Sequence, residues 1–580
     1  MSDDRIIPTT QPTDLVTYTV KVNGNEVPRT ILFTSIIVEQ EINKIPWAKL
    51  SIIDGDGSIS DFTVSDQDLF VPGNTIEIFA GYHSDESSIF QGIIIKHGIK
   101  VRGDSSFLLV ECRDQAVKLT VGKKNKYYNN QADSDIIQDI LNNYGLTANI
   151  ATTSVQHKEL VQFDVTDWDF MISRLEANGQ ICVVDAGTIT SQAPSLGSPV
   201  LSLLFGGTII EFDSEMDARD QYEGVTAYAW DYSNQQLLNI AANEPGLTET
   251  GNITASDLST VIGLSSYDLK HTGNVPQEEL QAWADAQLLK NRLAKVKGRV
   301  KFQGFPGVTP ATTLSLAGLG DRVNGDVFVA AVRHEIAGGD WLTDAQFGLS
   351  PQWFSAQYPV NTPKAAGILP AVNGLQIGIV TQLENDPDGE DRICVRLPIV
   401  DAGDQGIWSR VASLDAGNNR GMFFRPEIND EVIVGFLNDD PRDAIVLGMV
   451  NSSSKPAPLQ ASDQNDIKGY TSRSGITLTF DDNKVSVTLQ TPGGRSLAID
   501  DNAGSIQLQD GNGNQIVIDS NGITIKSASA LSLQANNDVS VQGNNMSLNA
   551  QMSFSAQGNT GIELKSSATA VLKGSLVQIN

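Results

Sequence analysis

With 580 residues, 40% of them hydrophobic and 19% charged, the chain is too long for one core and reads as a folded protein of roughly three to five domains. Its formal net charge of −29 argues against a binder of nucleic acid or anionic membranes, because no basic stripe is present to displace counterions. Cys112, Cys182 and Cys394 are odd in number and far apart, which gives neither a disulfide framework nor a zinc site.

Residues 1–14, MSDDRIIPTTQPTD, form a polar arm without the apolar core of a signal peptide. No apolar run is long enough to span a membrane as a helix. A product made and assembled in the bacterial cytoplasm, without a stable membrane anchor, is the expectation. Residues 15–120 are strand-rich, with the hairpin signal Asn23-Gly24, and read as a first β-barrel. An α/β insertion is expected over 121–190. Its helices fall at 133–144, with Asp133 or Ser134 as cap, and at 167–178, ended by Gly179. Residues 191–355 read as a second barrel carrying a long helix over 276–297, opened by Pro276 and ended by Gly298. A linker at 356–372 precedes a compact all-β unit at 373–452, and 453–475 is a second linker.

Residues 476–580 repeat a short strand pattern about every eight residues. The apolar pairs are Ile506/Leu508, Ile516/Ile518, Ile523/Ile525, Leu531/Leu533, Val539/Val541, Met546/Leu548, Met552/Phe554, Ile562/Leu564 and Val577/Ile579. Each pair shares one face of a strand, and Gly, Asn, Ser and Asp turn the chain between them. Such a unit cannot bury its apolar face alone, so stacking on neighbours is required. An elongated solenoid shared between chains follows. Only ten acids and seven bases lie in 461–580, so the acidity belongs to the front of the chain.

The most specific run lies at 373–452: GIV-x₄-NDPDGEDRICVRLP, then IWSRVA, then PEINDEVIVGFLNDDPRDAIVLGMV. It resembles the OB-fold domain of VgrG-type spike proteins and their contractile-phage relatives. The matching positions are Asp386, Pro387, Asp388, Gly389, Arg392, Val395, Pro398, Trp408, Arg410, Pro426, Asp430, Glu431, Val432, Phe436, Asp440, Pro441 and Gly448. Two positions depart: Glu390-Asp391 replaces a Gly before Arg392, and Asn429 replaces a Gly before Asp430. Asn tolerates positive φ, so the second turn survives. DWDFMISRLEANG at 167–179 resembles a helix motif of the same family. The stretches 292–307, GDRVNGDVFVAAVRHE and WLTDAQFGLS look most like spike-hub proteins of extracellular contractile injection systems.

The resemblance implies a mainly β fold with minor α. Two hub β-barrels with inserted helices, an OB-fold barrel and a C-terminal trimeric triple-stranded β-helix follow one another. It further implies a homotrimer that joins a hexameric inner tube and baseplate to a membrane-piercing needle in a particle released extracellularly. A PAAR-type tip protein would dock on Leu576, Val577 and Ile579, and cargo or an effector could ride on the spike. Trp408 and Phe436 are expected in the OB core, and the other motif residues in turns. The alternatives are the same fold in a type VI secretion system or a phage tail, a tail-associated cell-wall hydrolase, and a secreted calcium-binding rod.

No catalytic, cofactor or metal residue is expected. GxSxG, HExxH and P-loop motifs are absent, and His83, His97, His157, His271 and His334 are scattered. The gap between OB-fold and needle is too short for an inserted hydrolase. DGDGS at 54–58 and DGNGN at 510–514 have some calcium-loop character but read better as turns. With roughly thirteen strand passes spaced at about 4.8 Å, the needle would be on the order of 60 Å long.

Overall fold

The computed structural model describes residues 15–103 and 105–579; the arm at 1–14 lies outside the described residues. The chain divides into two compact units. One runs to Asn373 and includes Asn438–Pro441, and the other comprises Gly374–Leu437 and Arg442 onward. Among the described residues no helix is long and apolar enough to cross a membrane.

In the first unit the two hub halves keep separate apolar cores but share one 13-stranded sheet. The strand Phe33–Glu41 pairs antiparallel with Gly325–Ala337, placing Ile36 opposite Ile336 and Val38 opposite His334. This junction spans some three hundred residues of sequence and carries no local signal. Around it the strands alternate buried and half-exposed residues, the period-two pattern of a one-sided sheet. Trp341 from the second half enters the first core and stacks on Tyr82 at 5.6 Å. A β-carbon on Gly304 would stand 2.0 Å from the Trp341 ring, so only glycine lets the indole lie there.

His334 is fully enclosed at this junction, and its Nδ1 lies 3.0 Å from Thr343 Oγ1. Burial pulls its pKa from the ordinary 6.5 to about 4. The folded ring therefore stays neutral where the unfolded chain already takes up a proton. The stabilising contribution is complete above about pH 6.5 and is lost as pH falls toward 4, on the order of 3 kcal/mol in all. Urea midpoints measured between pH 4 and 7 will fall with acidity in the native chain, and His334→Asn will flatten that slope.

The insertion between the halves has its own core around Ile136, Ile140, Met171, Ile172, Leu175 and Cys182. Its helices are α1 (Asp133–Asn142) and α2 (Asp167–Ala177). The expected caps of α1 are corrected. Ala132 occupies the cap position without a side-chain bond, and Asp133 and Ser134 lie inside the first turn. The Asp133 carboxylate is committed elsewhere. It accepts from Arg174 Nε at 2.7 Å and Nη2 at 3.0 Å, from Asn178 at 2.9 Å and from His157 at 3.0 Å. Burial pushes this carboxyl up, but the Arg174 guanidinium and the other donors outweigh burial and hold it below the usual range.

Two further helices follow, α3 (Ala255–Ile262), which the sequence reading omitted, and α4 (Gln277–Leu293). Pro276 caps α4, but the helix stops at Leu293 rather than at Gly298. Gly298 belongs to the strand Val296–Gln303, where an added β-carbon would meet Asp213 O at 2.2 Å. Leu280, Ala284 and Leu288 bury one face of α4 against the strand Val225–Asp231.

In the second unit a closed five-stranded barrel (376–449) encloses Val380, Ile393, Val395, Val432, Val434 and Val446. A seven-stranded antiparallel meander follows, from Ile467–Thr471 to Gly522–Lys526. It begins inside the expected linker, and each strand pairs with the next strand of its own chain. Of the C-terminal β-helix expected from 476, the stretch as far as Lys526 is thus laddered within one chain. From 527 to 579 the single chain forms no strand ladder, so the backbone groups there must find partners in water or in other copies.

Candidate assembly surfaces

The meander is one-sided. Across its registers Leu478, Leu489, Leu497, Leu508, Ile516 and Ile525 form one row. Phe480, Val487, Ile499, Ile506, Ile518 and Ile523 form a second row on the same face. The opposite face carries Thr479, Thr488, Ala498, Gln507, Val517 and Thr524. Aspartates set the turns: Asp481, Asp500, Asp510 and Asp519 each accept a backbone N–H from two or three residues on. At Asp510 the Asn514 side chain and the Asn512 and Asn514 amides hold the carboxyl down at about 2. DGNGN is thus a self-satisfied turn.

In the single chain this face is open. Ile506, Leu508, Ile516, Ile518, Ile523 and Ile525 are exposed, as are Leu531, Leu533, Val539, Val541, Leu548, Phe554, Ile562 and Leu564, over a range of 38% to 85%. Leu576, Val577 and Ile579 are exposed as well. Within the meander these residues form one continuous apolar face, the kind of exposed patch that marks interaction surfaces. The apolar pairs read from the sequence start at Ile506, whereas the face starts earlier and includes Leu478 to Ile499. The alternation in ITLTF, VSVTL and SLAI is the signal available for them.

The OB motif residues fall into two groups. Asp386 accepts from the backbone N–H groups of Asp388, Glu390 and Arg392 and from the Arg392 guanidinium, which also pairs with Asp388. Arg392 thereby holds the Asp386 carboxyl far below its usual range. Gly389 at φ +69° and Asp391 at φ +57° complete this turn, and Pro387 sits exposed in it. Asn429 takes φ +71°, as the departing glycine would, and Asp430 accepts from Glu427 N at 2.8 Å. Pro426 is buried beside it, Glu431 opens the strand Glu431–Phe436, and Phe436 packs against the core. Pro441 stands in the turn before Ala444–Met449. Trp408 is a correction. In Ile407–Val411 the core side carries Ile407, Ser409 and Val411, so Trp408 and Arg410 lie on the outer side of the barrel.

The helix motif is also explained by geometry. In α2, Asp167 accepts from Tyr144 and Gln162, while Trp168 and Phe170 are buried. Arg174 joins Asp133 to Glu279, and Glu176 accepts from Lys290 at 2.5 Å and from Phe354 N at 2.6 Å. Gly179 closes α2 in the left-handed conformation, at φ +67°, beside Ala286 of α4. These polar groups brace the insertion against α4. A cavity of about 310 Å³ nearby is lined by Glu41, Lys44, Glu176 and Lys290, and those charges are paired with each other. In DGDGS, Asp54 accepts from the N–H groups of Gly55, Val64 and Ser65, so its oxygens serve a turn. Among the described residues no cluster of three His, Cys, Asp or Glu could hold a metal ion.

Comparison with known proteins gives three family matches in chain order. Residues 12–338, more than half of the chain, match the Alg8 N-terminal domain. Residues 376–450 match the type VI secretion system/phage-baseplate injector OB domain, and residues 486–580 match the phage baseplate V C-terminal trimerisation domain. The type VI secretion system spike protein VgrG1a of Pseudomonas aeruginosa is 24% identical over 227 residues, covering 36% of this chain and 35% of that protein. VgrG4b of the same organism is 35% identical over 113 residues, covering 18% of this chain and 13% of that protein. The chain thus spans about a third or less of the length of these two relatives. The 43 kDa tail protein of prophage MuSo2 from Shewanella oneidensis aligns at a TM-score of 0.43 and 13% identity, over 58% of this chain and 98% of that one. With an Alg8 N-terminal domain, an injector OB domain and a baseplate trimerisation domain in succession, the chain belongs to the Alg8 N-terminal domain family and resembles VgrG-like spike and hub proteins.

Proposed function

We propose that this chain is the non-enzymatic, homotrimeric spike of a contractile, phage-tail-like injection particle. Its hub meets the hexameric inner tube and the baseplate, and its needle crosses a target envelope with a PAAR-type tip protein on Leu576, Val577 and Ile579. One observation carries the reading. The meander leaves its apolar face uncovered, and residues 527–579 form no strand ladder within the single chain. Three copies would turn three apolar faces into one dry axis and pair the remaining backbone. A rod without free strand edges would resist fraying when driven through a barrier.

A second reading places the same trimer in a type VI secretion system, because the curated relatives it aligns with are spike proteins of that machine. Electron microscopy of sheathed particles from cells with and without the gene tests the first reading. Loss of the chain is expected to leave no complete, needle-tipped particles in the culture supernatant. Intact particles in its absence would refute it. Particles found only attached to the cell envelope would favour the second. A peptidoglycan-clearing assay on the purified chain is expected to show no clearing.

A further inference from the structure

The apolar face of the meander does not end at its first strand. Tyr470 stands at the head of the row that continues through Leu478, and its ring meets that of Phe424 with centroids 4.8 Å apart. Phe424 belongs to the loop 413–425, which leaves the OB barrel after Ile407–Val411. This loop is firmly held. Ser413 Oγ donates to the carbonyls of Met422 at 2.5 Å and Asp415 at 3.1 Å, and Met422 N donates to Asp415 O at 2.9 Å. Arg420 pairs with Asp415 at 2.7 Å, and Arg425 pairs with Asp391. Just beyond it, Arg473 of the meander pairs with Glu427 at 2.8 Å.

A loop so constrained has already lost its conformational freedom, yet it turns Leu414 and Phe423 to solvent at 90% and 86% exposure. One exposed apolar side chain needs no explanation. Two on a rigid loop, whose next aromatic abuts an open apolar face, form a preorganised contact. Arg420 is neutralised by Asp415 within the loop and Arg425 by Asp391 beside it, so the loop offers a partner an apolar contact. The apolar surface continuous with it is the face of the trimerisation segment.

We propose that 413–425 is a clasp for a second copy of this chain, in which Phe423 and Leu414 of one protomer seat against the neighbouring protomer at the head of the meander. The trimer interface then reaches upward from the matched residues 486–580 into the OB barrel. The proposal rests on the trimeric reading above.

The test is photo-crosslinking from benzoylphenylalanine placed at position 423 of the full chain, after its mass has been measured by light scattering. Covalent dimers and trimers on a denaturing gel are the expected result. A trimer that gives no chain-to-chain product overturns the clasp alone, and a monomer overturns the trimeric reading with it. Phe423→Ala, which leaves every hydrogen bond and ion pair of the loop in place, supplies a second measure. Subunit exchange between differently tagged trimers is expected to quicken on the order of tenfold, and an unchanged exchange rate would overturn the clasp.

Discussion

Ile518→Asp is expected to abolish the trimer. Ile518 lies between Ile506 and Ile523 in the register of the meander, on the face that has no covering within its own chain. Threefold closure would bring three copies of this side chain toward one axis. Burying an Ile contributes about 1.5–3 kcal/mol, whereas three unpaired carboxylates in a dry core cost far more than the whole row supplies. Light scattering should give a trimer for the native chain and a monomer for the variant, with the first unit still folded by circular dichroism. Val517→Asp, on the opposite face, should leave the trimer intact. A trimeric Ile518→Asp protein with unchanged melting would remove this face from the interface.

The second large effect is expected at Arg174. Replacing it with Met leaves the Asp133 carboxylate, 1% exposed, without its bidentate partner. Only His157 and Asn178 would remain beside it. Breaking a buried ion pair from one side costs roughly 3–5 kcal/mol, whereas replacing both members by apolar groups is often neutral. Arg174→Met should therefore lower stability in urea by that amount, and adding Asp133→Leu should restore much of it. Equal losses in the single and double variants would show that packing of the Arg174 stem, rather than the charge, sets the cost.

Local chemistry was legible in the sequence, and long-range pairing was not. The turn at Asp386–Arg392 and the positive φ of Asn429 follow from residue types whose reach is a few positions. The brace at Asp133 joins residues 41 positions apart, so an aspartate before a helix reads as a cap when its neighbours in space are unknown. The hub sheet is the same case on a larger scale, since nothing near Val38 announces His334. The long helix reads past its end at Leu293 because Ala294, Lys295 and Lys297 favour helix as readily as strand. The helix α3 was missed although Thr254 and Asp257 form a capping box and Gly263 closes it at φ +71°. Trp408 reads as a core residue because Ile407 and Trp408 are both apolar, and alternation gives two faces without saying which is inside. The C-terminal repeat reads as one device in sequence, whereas 467–526 ladders within the chain and 527–579 does not. An apolar period reports a buried face and is silent on whose strand lies alongside.

Native mass by light scattering on the full chain tests the account most directly, at concentrations down to the nanomolar range. The expected result is a species three times the 62.3 kDa of one chain, persisting on dilution. A stable monomer would contradict it, because the open apolar face and the unladdered C-terminal residues would then have to be closed by the chain itself.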